Sequence, residues 1–120
     1  MSQAKIVREE LKEADTVFSG VLIELKNACI VFLSEGEEAL GTLAISVPQK
    51  PGMVGPQLSS LLLGERNATL ARLLAERLAK SLAKMALVSV FVRTLNEERA
   101  GQILLKLLEK VLRKQGGARP

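Results

Sequence analysis

Apolar positions along this chain alternate between two periods. From Thr16 to Pro48 they fall in short runs, VFSGVLIE, ACIVFL and LGTLAISV, separated by turn residues, as half-buried strands do. From Leu70 to Leu82 they recur every three or four residues, the spacing of an amphipathic helix. Met85–Val92 is almost wholly apolar, which predicts a strand buried on both faces. Helical spacing then returns, with Ala100, Ile103, Leu104, Leu107, Leu108, Val111 and Leu112 on one wide face.

Punctuation residues set the boundaries. Asn67 predicts an N-cap for a helix over 68–84, and Asn96 one for the final helix. Glu97 and Glu98 in the first turn of that helix, and Lys110, Arg113 and Lys114 in its last, suit the helix dipole. Gly116-Gly117 stops it, and 116–120 reads as a disordered tail on a single domain spanning 1–115. Pro48–Pro56 holds too much proline and glycine for regular structure and reads as an exposed loop. Leu58–Leu63 resumes as a short strand that ends at Gly64. Near the N-terminus, β-branched Ile6 and Val7 favour a polar edge strand over Lys5–Leu11 rather than a helix.

Lys26-Asn27 and Glu35-Gly36 each suit a two-residue hairpin turn, and together they predict a three-stranded meander. With Leu25 opposite Ala28, Ile23 faces Ile30 and Val21 faces Phe32; with Ser34 opposite Glu37, Phe32 faces Ala39. One sheet face then carries Val21, Ile23, Leu25, Ala28, Ile30, Phe32, Ala39, Leu43, Ile45 and Val47, all apolar. The other carries Leu22, Glu24, Cys29, Val31, Leu33, Glu38, Leu40, Thr42, Ala44 and Ser46, which is mixed.

The expected fold is α+β in the order βββββαβα, an antiparallel sheet of about six strands with two helices on its all-apolar face. The mixed face has no helix left to cover it. Leu22, Cys29, Val31, Leu33, Leu40, Thr42 and Ala44 are therefore the candidate dimer interface, two sheets stacking as an αββα dimer. A standard interface buries ~800 Å² per partner, so covering even half of that with apolar contact offsets ~10 kcal/mol of ordering and association cost.

Composition narrows the function classes. A chain of 120 residues, 48% hydrophobic and 25% charged, fits one soluble globular domain. The longest apolar runs fall well short of the ~20 residues that span a bilayer. The polar N-terminus lacks the apolar stretch of a signal peptide, which reads as cytoplasmic. The net charge of +4 is uneven. Residues 1–65 carry 5 basic and 9 acidic side chains, and residues 66–120 carry 12 and 4. Such a division predicts a two-signed surface that orients a protein partner.

Candidate chemistry is sparse. With no His, Tyr or Trp, the commonest general base, metal ligand and base-stacking aromatics are missing. The lone Cys29 lies mid-strand with no His to activate it and reads as structural. Glu37-Glu38 and Glu97-Glu98 are adjacent pairs whose side chains diverge, so neither makes an acid–base dyad. Gly64-Glu65-Arg66-Asn67 joins a strand to a helix but lacks the rest of a phosphate-binding motif. No enzyme activity, cofactor or metal is expected. Arg66, Arg72, Arg77, Lys80, Lys84, Lys106, Lys110, Arg113 and Lys114 offer an alternative, a dimeric nucleic-acid-binding protein using basic helices. The interrupting Glu76 and Glu109 weigh against it, as does the lack of aromatics among these residues.

From Asn27 to Arg113 the chain resembles the proteasome assembly chaperone 3 and 4 family. The matching features are the strand ACIVFL, the strand start Gly41-Thr42-Leu43 and the Pro/Gly loop that follows. Leu61-Leu62-Leu63-Gly64 ahead of the Leu/Ala helix, then LVSVFVR and a final amphipathic helix, complete the set. The chain departs from the pattern in its scarcity of aromatics and its charged N-terminal segment. The resemblance implies a small non-catalytic chaperone that dimerises with itself or a relative. Such a chaperone binds proteasome α-subunits, promotes α-ring formation, and leaves before the core particle is complete. The loop at Lys50, Met53 and Val54 is the candidate partner-binding surface. A scaffold dimer of the roadblock or longin kind also joins a meander to helices and is the third reading.

Overall fold

The structure is a computed structural model that describes residues 3–13, 15–50, 52, 55 and 57–116. The chain runs β1 (Lys5–Glu13), β2 (Thr16–Glu24), β3 (Ala28–Glu35), β4 (Thr42–Val47), β5 (Leu58–Leu63), α1 (Ala68–Leu82), β6 (Met85–Phe91) and α2 (Glu97–Gln115). The element order is the expected βββββαβα. Met53 and Val54, and positions 117–120 of the expected tail, lie outside the described residues.

The first hairpin forms in the expected register, with Ile23 opposite Ile30 and Val21 opposite Phe32. The second does not form. The sheet order is β1-β2-β3-β6-β4-β5, so β6 lies between β3 and β4. β3 and β6 run parallel and every other pair is antiparallel, which corrects the purely antiparallel expectation to a mixed sheet. The cause is the composition of β6. A strand with so few polar positions is best buried at the centre of a sheet, and there it outcompetes the local β3–β4 pairing. α1 carries the chain from the edge strand β5 back over the sheet to insert β6.

Residues 36–41 then have to cross the end of β6 to connect β3 with β4. Ser34 Oγ donates to Ala39 O at 3.2 Å and accepts from Ala39 N at 3.1 Å, while Gly41 N donates to Ser89 Oγ at 2.8 Å. A Cβ on Gly41 would overlap Val90 O and sit 2.8 Å from Phe91 Cα, so only glycine passes there.

Both helices cover one face of the sheet. The core cluster joins Leu22, Val31, Leu33, Ala44 and Val88 to Leu70, Leu74 and Leu78 of α1 and to Leu104, Leu107 and Leu108 of α2. α2 lies over β1 and β2, and α1 over β4, β5 and β6. Small residues let the helices approach closely. A Cβ on Gly20 would lie 3.0 Å from Val111 Cγ2, and Ala71, Ala75 and Ala79 are fully buried in α1.

The covered face is the mixed one, not the all-apolar one. Leu22, Val31, Leu33 and Ala44 are 0% exposed, Cys29 2% and Thr42 6%, all beneath the chain's own helices. Six of the seven residues expected at a dimer interface are thus core residues. Leu40 alone is open, 56% exposed in the connection that crosses β6. The β2 and β3 residues share faces as expected, but the lid sits on the opposite side.

The helix caps divide similarly. Asn96 Oδ1 accepts from Arg99 N at 2.8 Å, as its position predicts. Asn67 adopts a left-handed conformation and makes no side-chain cap. Instead Glu97, from the first turn of α2, accepts from Leu70 N at 3.2 Å. Along the expected α1 stripe, Leu73 is 57% exposed rather than packed.

Candidate functional site

Strand alternation fixes which side chains the open face carries. One rung runs Ile6, Ile23, Ile30, Leu87, Ile45 and Ser60 across all six strands. A second rung brings in Ala28, Met85, Val47 and Leu58. From β2 to β5 no strand residue on this face is charged; Arg8, Glu10 and Lys12 on β1 are the charged strand residues there. Ile6, Val47, Leu58, Leu63 and Met85 are 40–64% exposed. A contiguous apolar surface of this extent is what a monomeric surface rarely presents and an interaction surface does.

The 36–41 connection covers one end of the face. Glu38 pairs with Arg8 at 3.1 Å, and Val21 below it is only 6% exposed. Together with Ile23, Phe32, Ala39 and Leu40 they line a cleft of about 300 Å³. The open apolar band therefore lies toward the opposite end, around Ile30, Leu87 and Ile45.

The uneven charge resolves within the chain. Glu9 sits 3.6 Å from both Lys110 and Lys114, and Glu13 3.6 Å from both Arg99 and Lys106. Lys84 pairs with Glu24 at 2.6 Å and donates to Leu25 O, and Arg77 pairs with Glu109. Arg66 donates to Arg93 O, and Arg72 to Ser59 Oγ at 3.1 Å. Of the nine helix cations that could track a phosphate backbone, Lys80 and Arg113 alone lack such a partner among the described residues. The expected two-signed surface is largely an acidic sheet margin bound to its own basic lid.

The acids show the consequence. Burial pushes the Glu24 carboxyl up, but hydrogen bonds from Lys84 and Gln115 and the Lys84 charge outweigh it and hold it below its ordinary 4.5. Glu35 follows the same pattern. Burial is outweighed by the Thr94 hydroxyl and the Arg93 and Thr94 amides, so its carboxyl is lowered and it ties β3 to the turn before α2.

Several of the remaining sequence candidates make structural contacts. Burial pushes the Cys29 thiol up to about 11, with Glu24 adding and Lys84 opposing; its Sγ lies 3.7 Å from Met85 O. Glu38 is an ion-pair partner and Glu97 a helix cap. The Gly64–Asn67 junction is a tight turn in which Thr42 Oγ1 donates to Arg66 O at 2.6 Å. Lys50 is exposed and, with Pro48, Gln57 and Lys80, lines a shallow cleft of about 470 Å³. Among the described residues no group of three or more His, Cys, Asp or Glu could hold a metal, and no helix is long and apolar enough to cross a membrane.

Sequence reasoning missed the role of Met85, Leu87 and Phe91, the open-face side of β6. The available signal was the row of small residues, Gly20, Ala44, Ser46 and Ala86, on the other face, where a helix can approach.

No family model matches the chain, and no curated protein matches it either. Among solved structures, it is similar to a chain in the crystal structure of a chaperone complex for yeast 20S proteasome assembly. The TM-score is 0.66 over 94% of this chain and 95% of that one, at 14% identity. The likeness establishes a shared fold across nearly the whole of both chains, in line with the resemblance carried by ACIVFL, Gly41-Thr42-Leu43 and LLLG.

Proposed function

We propose that this chain is a non-catalytic chaperone of proteasome assembly that acts as a dimer, binds α-subunits and promotes α-ring formation. The observation that carries the reading is the apolar band of the open face, free of charged strand residues from β2 to β5, in a fold shared with a chain of a yeast proteasome assembly chaperone complex. At ~4.8 Å between strands, six strands span roughly 24 Å, wide enough for one side of a standard interface. A second sheet laid on Ile23, Ile30, Leu87 and Ile45 places both helical lids outside, the αββα layering of the sequence expectation with the opposite face inward. The mate is a second copy or a related chaperone.

An assembly factor needs a rigid platform and release by competition, not bond chemistry. The cytoplasm is where such a factor would act. Nucleic-acid binding is disfavoured because the helix cations are mostly engaged by Glu9, Glu13, Glu24 and Glu109.

The test is co-expression with proteasome α-subunits followed by affinity capture, alone and with candidate related chaperones. Capture of an α-subunit by the wild type, lost in Leu87→Glu together with the dimer, is the expected result. Failure to capture any α-subunit in either setting would refute the chaperone reading. Retention of the dimer by Leu87→Glu would refute the assignment of the face.

A further inference from the structure

The open face is not level. At one end the 36–41 connection lies on it. Ser34 and Ser89 belong to this face by alternation, yet both are fully buried, and Val21 is nearly so. At the other end the face is bare, with Leu25, Met85 and Val47 exposed at 48%, 40% and 49%. Leu25 N donates to Ala28 O at 2.8 Å, so Leu25 continues the line of β2 and stands opposite Ala28.

Along that line Leu25 and Val21 sit two residues to either side of Ile23, each roughly 7 Å from it. Val21 and Ile23 belong to the cleft of about 300 Å³, which Ala39 and Leu40 of the connection wall off. A half-turn about an axis lying across the strands at Ile23 exchanges the two positions. It sets the exposed Leu25 of one copy over the cleft of the other, and the reverse, so knob and hole repeat as an isologous contact requires. The raised connection of each copy then lies over the bare end of the other.

The charges agree with this direction. Lys26 follows Leu25 in the turn, and Glu37 stands in the connection; both are exposed, and neither has an ion-pair partner among the described residues. The half-turn brings each Lys26 toward the connection that carries Glu37 in the other copy. An axis running along the strands would instead set β2 over β4, since these stand equally far from the centre of the sheet, and put Leu25 beside Val47. It would also lay connection on connection, with Glu37 and Glu38 against their own copies, a like-charge contact.

We propose that the occupant of the open face is a second copy of this chain, each strand running against its own copy, with Leu25 of each seated in the Val21–Leu40 cleft of the other. The inference rests on the sheet-to-sheet pairing proposed above and fixes its occupant and direction. Lys26 and Glu37, at the solvent-exposed rim, select the direction and add little to the strength.

The test is cross-linking of the purified full chain with a bismaleimide spanning roughly 10 Å, the spacing of stacked sheets. Leu25→Cys mixed with Leu40→Cys should give a covalent dimer, and Leu25→Cys mixed with Val47→Cys at least tenfold less. All three positions are exposed, so matching melting curves are expected, and the buried Cys29 should leave the wild type without product. Leu25→Ala should weaken self-association in sedimentation at least tenfold. Cross-linking of Leu25→Cys to Val47→Cys in preference to Leu40→Cys would overturn the direction while leaving the pairing intact. Association unchanged by Leu25→Ala would overturn the seating of Leu25 in the cleft. A wild type that stays monomeric at every concentration would overturn the second copy as occupant, and a dimer formed only with a related chaperone would do so without touching the pairing itself.

Discussion

Leu22 and Ile23 are neighbours on β2 with opposite surroundings, and truncating each in turn tests where the lid lies. Leu22 is 0% exposed beneath the helices, while Ile23 lies on the open face and is only partly buried. Leu→Ala at a fully buried site removes ~2–5 kcal/mol, the transfer of the lost carbons plus the cavity left behind. The fully packed surroundings of Leu22 place Leu22→Ala at about 3 kcal/mol. For Ile23→Ala in the isolated chain, partial burial scales the loss to about 1 kcal/mol. With a urea slope of ~1.5 kcal/mol/M for a chain of this size, the midpoints should fall by roughly 2 M and roughly 0.7 M. The assay is urea unfolding followed by circular dichroism at several protein concentrations. If Ile23 packs against a mate, the deficit of Ile23→Ala widens as concentration rises, because the wild type gains stability by association and the variant gains less. At the lowest concentration the order must be Leu22→Ala worse than Ile23→Ala. The reverse order would refute the placement of both helices and return the lid to the face that looks more apolar.

Other outcomes follow from single contacts. Gly41→Ala should cost about 3 kcal/mol or more in thermal melts, because its Cβ would overlap Val90 O and the backbone cannot yield as a side chain can. Gly36→Ala, whose Cβ meets nothing within 4 Å, should cost only about 1 kcal/mol for its positive φ. Cys29, with its thiol raised to about 11, should resist maleimide labelling at pH 8 until urea unfolds the chain, and rapid native-state labelling would contradict its burial. Glu24 and Glu35 are held below 4.5 in the folded state, so the stability they contribute is present above that value and is lost as pH falls through their lowered folded values. The double change Glu24→Gln with Glu35→Gln should flatten the acid limb of a stability–pH curve, and an unchanged limb would show that other groups set it.

Local features of this fold were legible in the sequence and long-range ones were not. The Leu58–Leu63 strand, the Ala68 start of α1, the Asn96 cap and the Ile23–Ile30 register all follow from neighbours within a few residues. The β3–β6 pairing joins Ala28 to Met85, and no turn residue announces a partner so far along the chain. The Glu35-Gly36 turn exists, with Gly36 at φ 84 and its N–H on Val17 O at 2.8 Å, yet it feeds a crossing rather than a hairpin. A turn signal fixes a change of direction, not the strand that lies alongside afterwards. The α1 cap was illegible for the same reason, since Glu97 lies 27 positions from Leu70.

The candidate surface was misplaced because the polarity of a face was read without asking which acids the lid would neutralise. Glu24 makes the covered face look half-exposed, but it is bound by Lys84, at the end of α1, and by Gln115 of α2. From β2 to β5 the open face carries no charged strand residue. If the band across Ile30, Leu87 and Ile45 is where a mate docks, its binding energy comes from apolar area and shape, which salt leaves nearly untouched, whereas exposed charge pairs are screened beyond ~8–10 Å in ordinary buffers. Sedimentation equilibrium at about 50 mM and about 500 mM salt should therefore give association constants within about twofold of each other, with higher salt neutral or favourable. A steep loss of association with salt would mean that charges outside the internal pairs, such as Lys12 or Arg113, carry the contact. The apolar band would then be ruled out as the docking face.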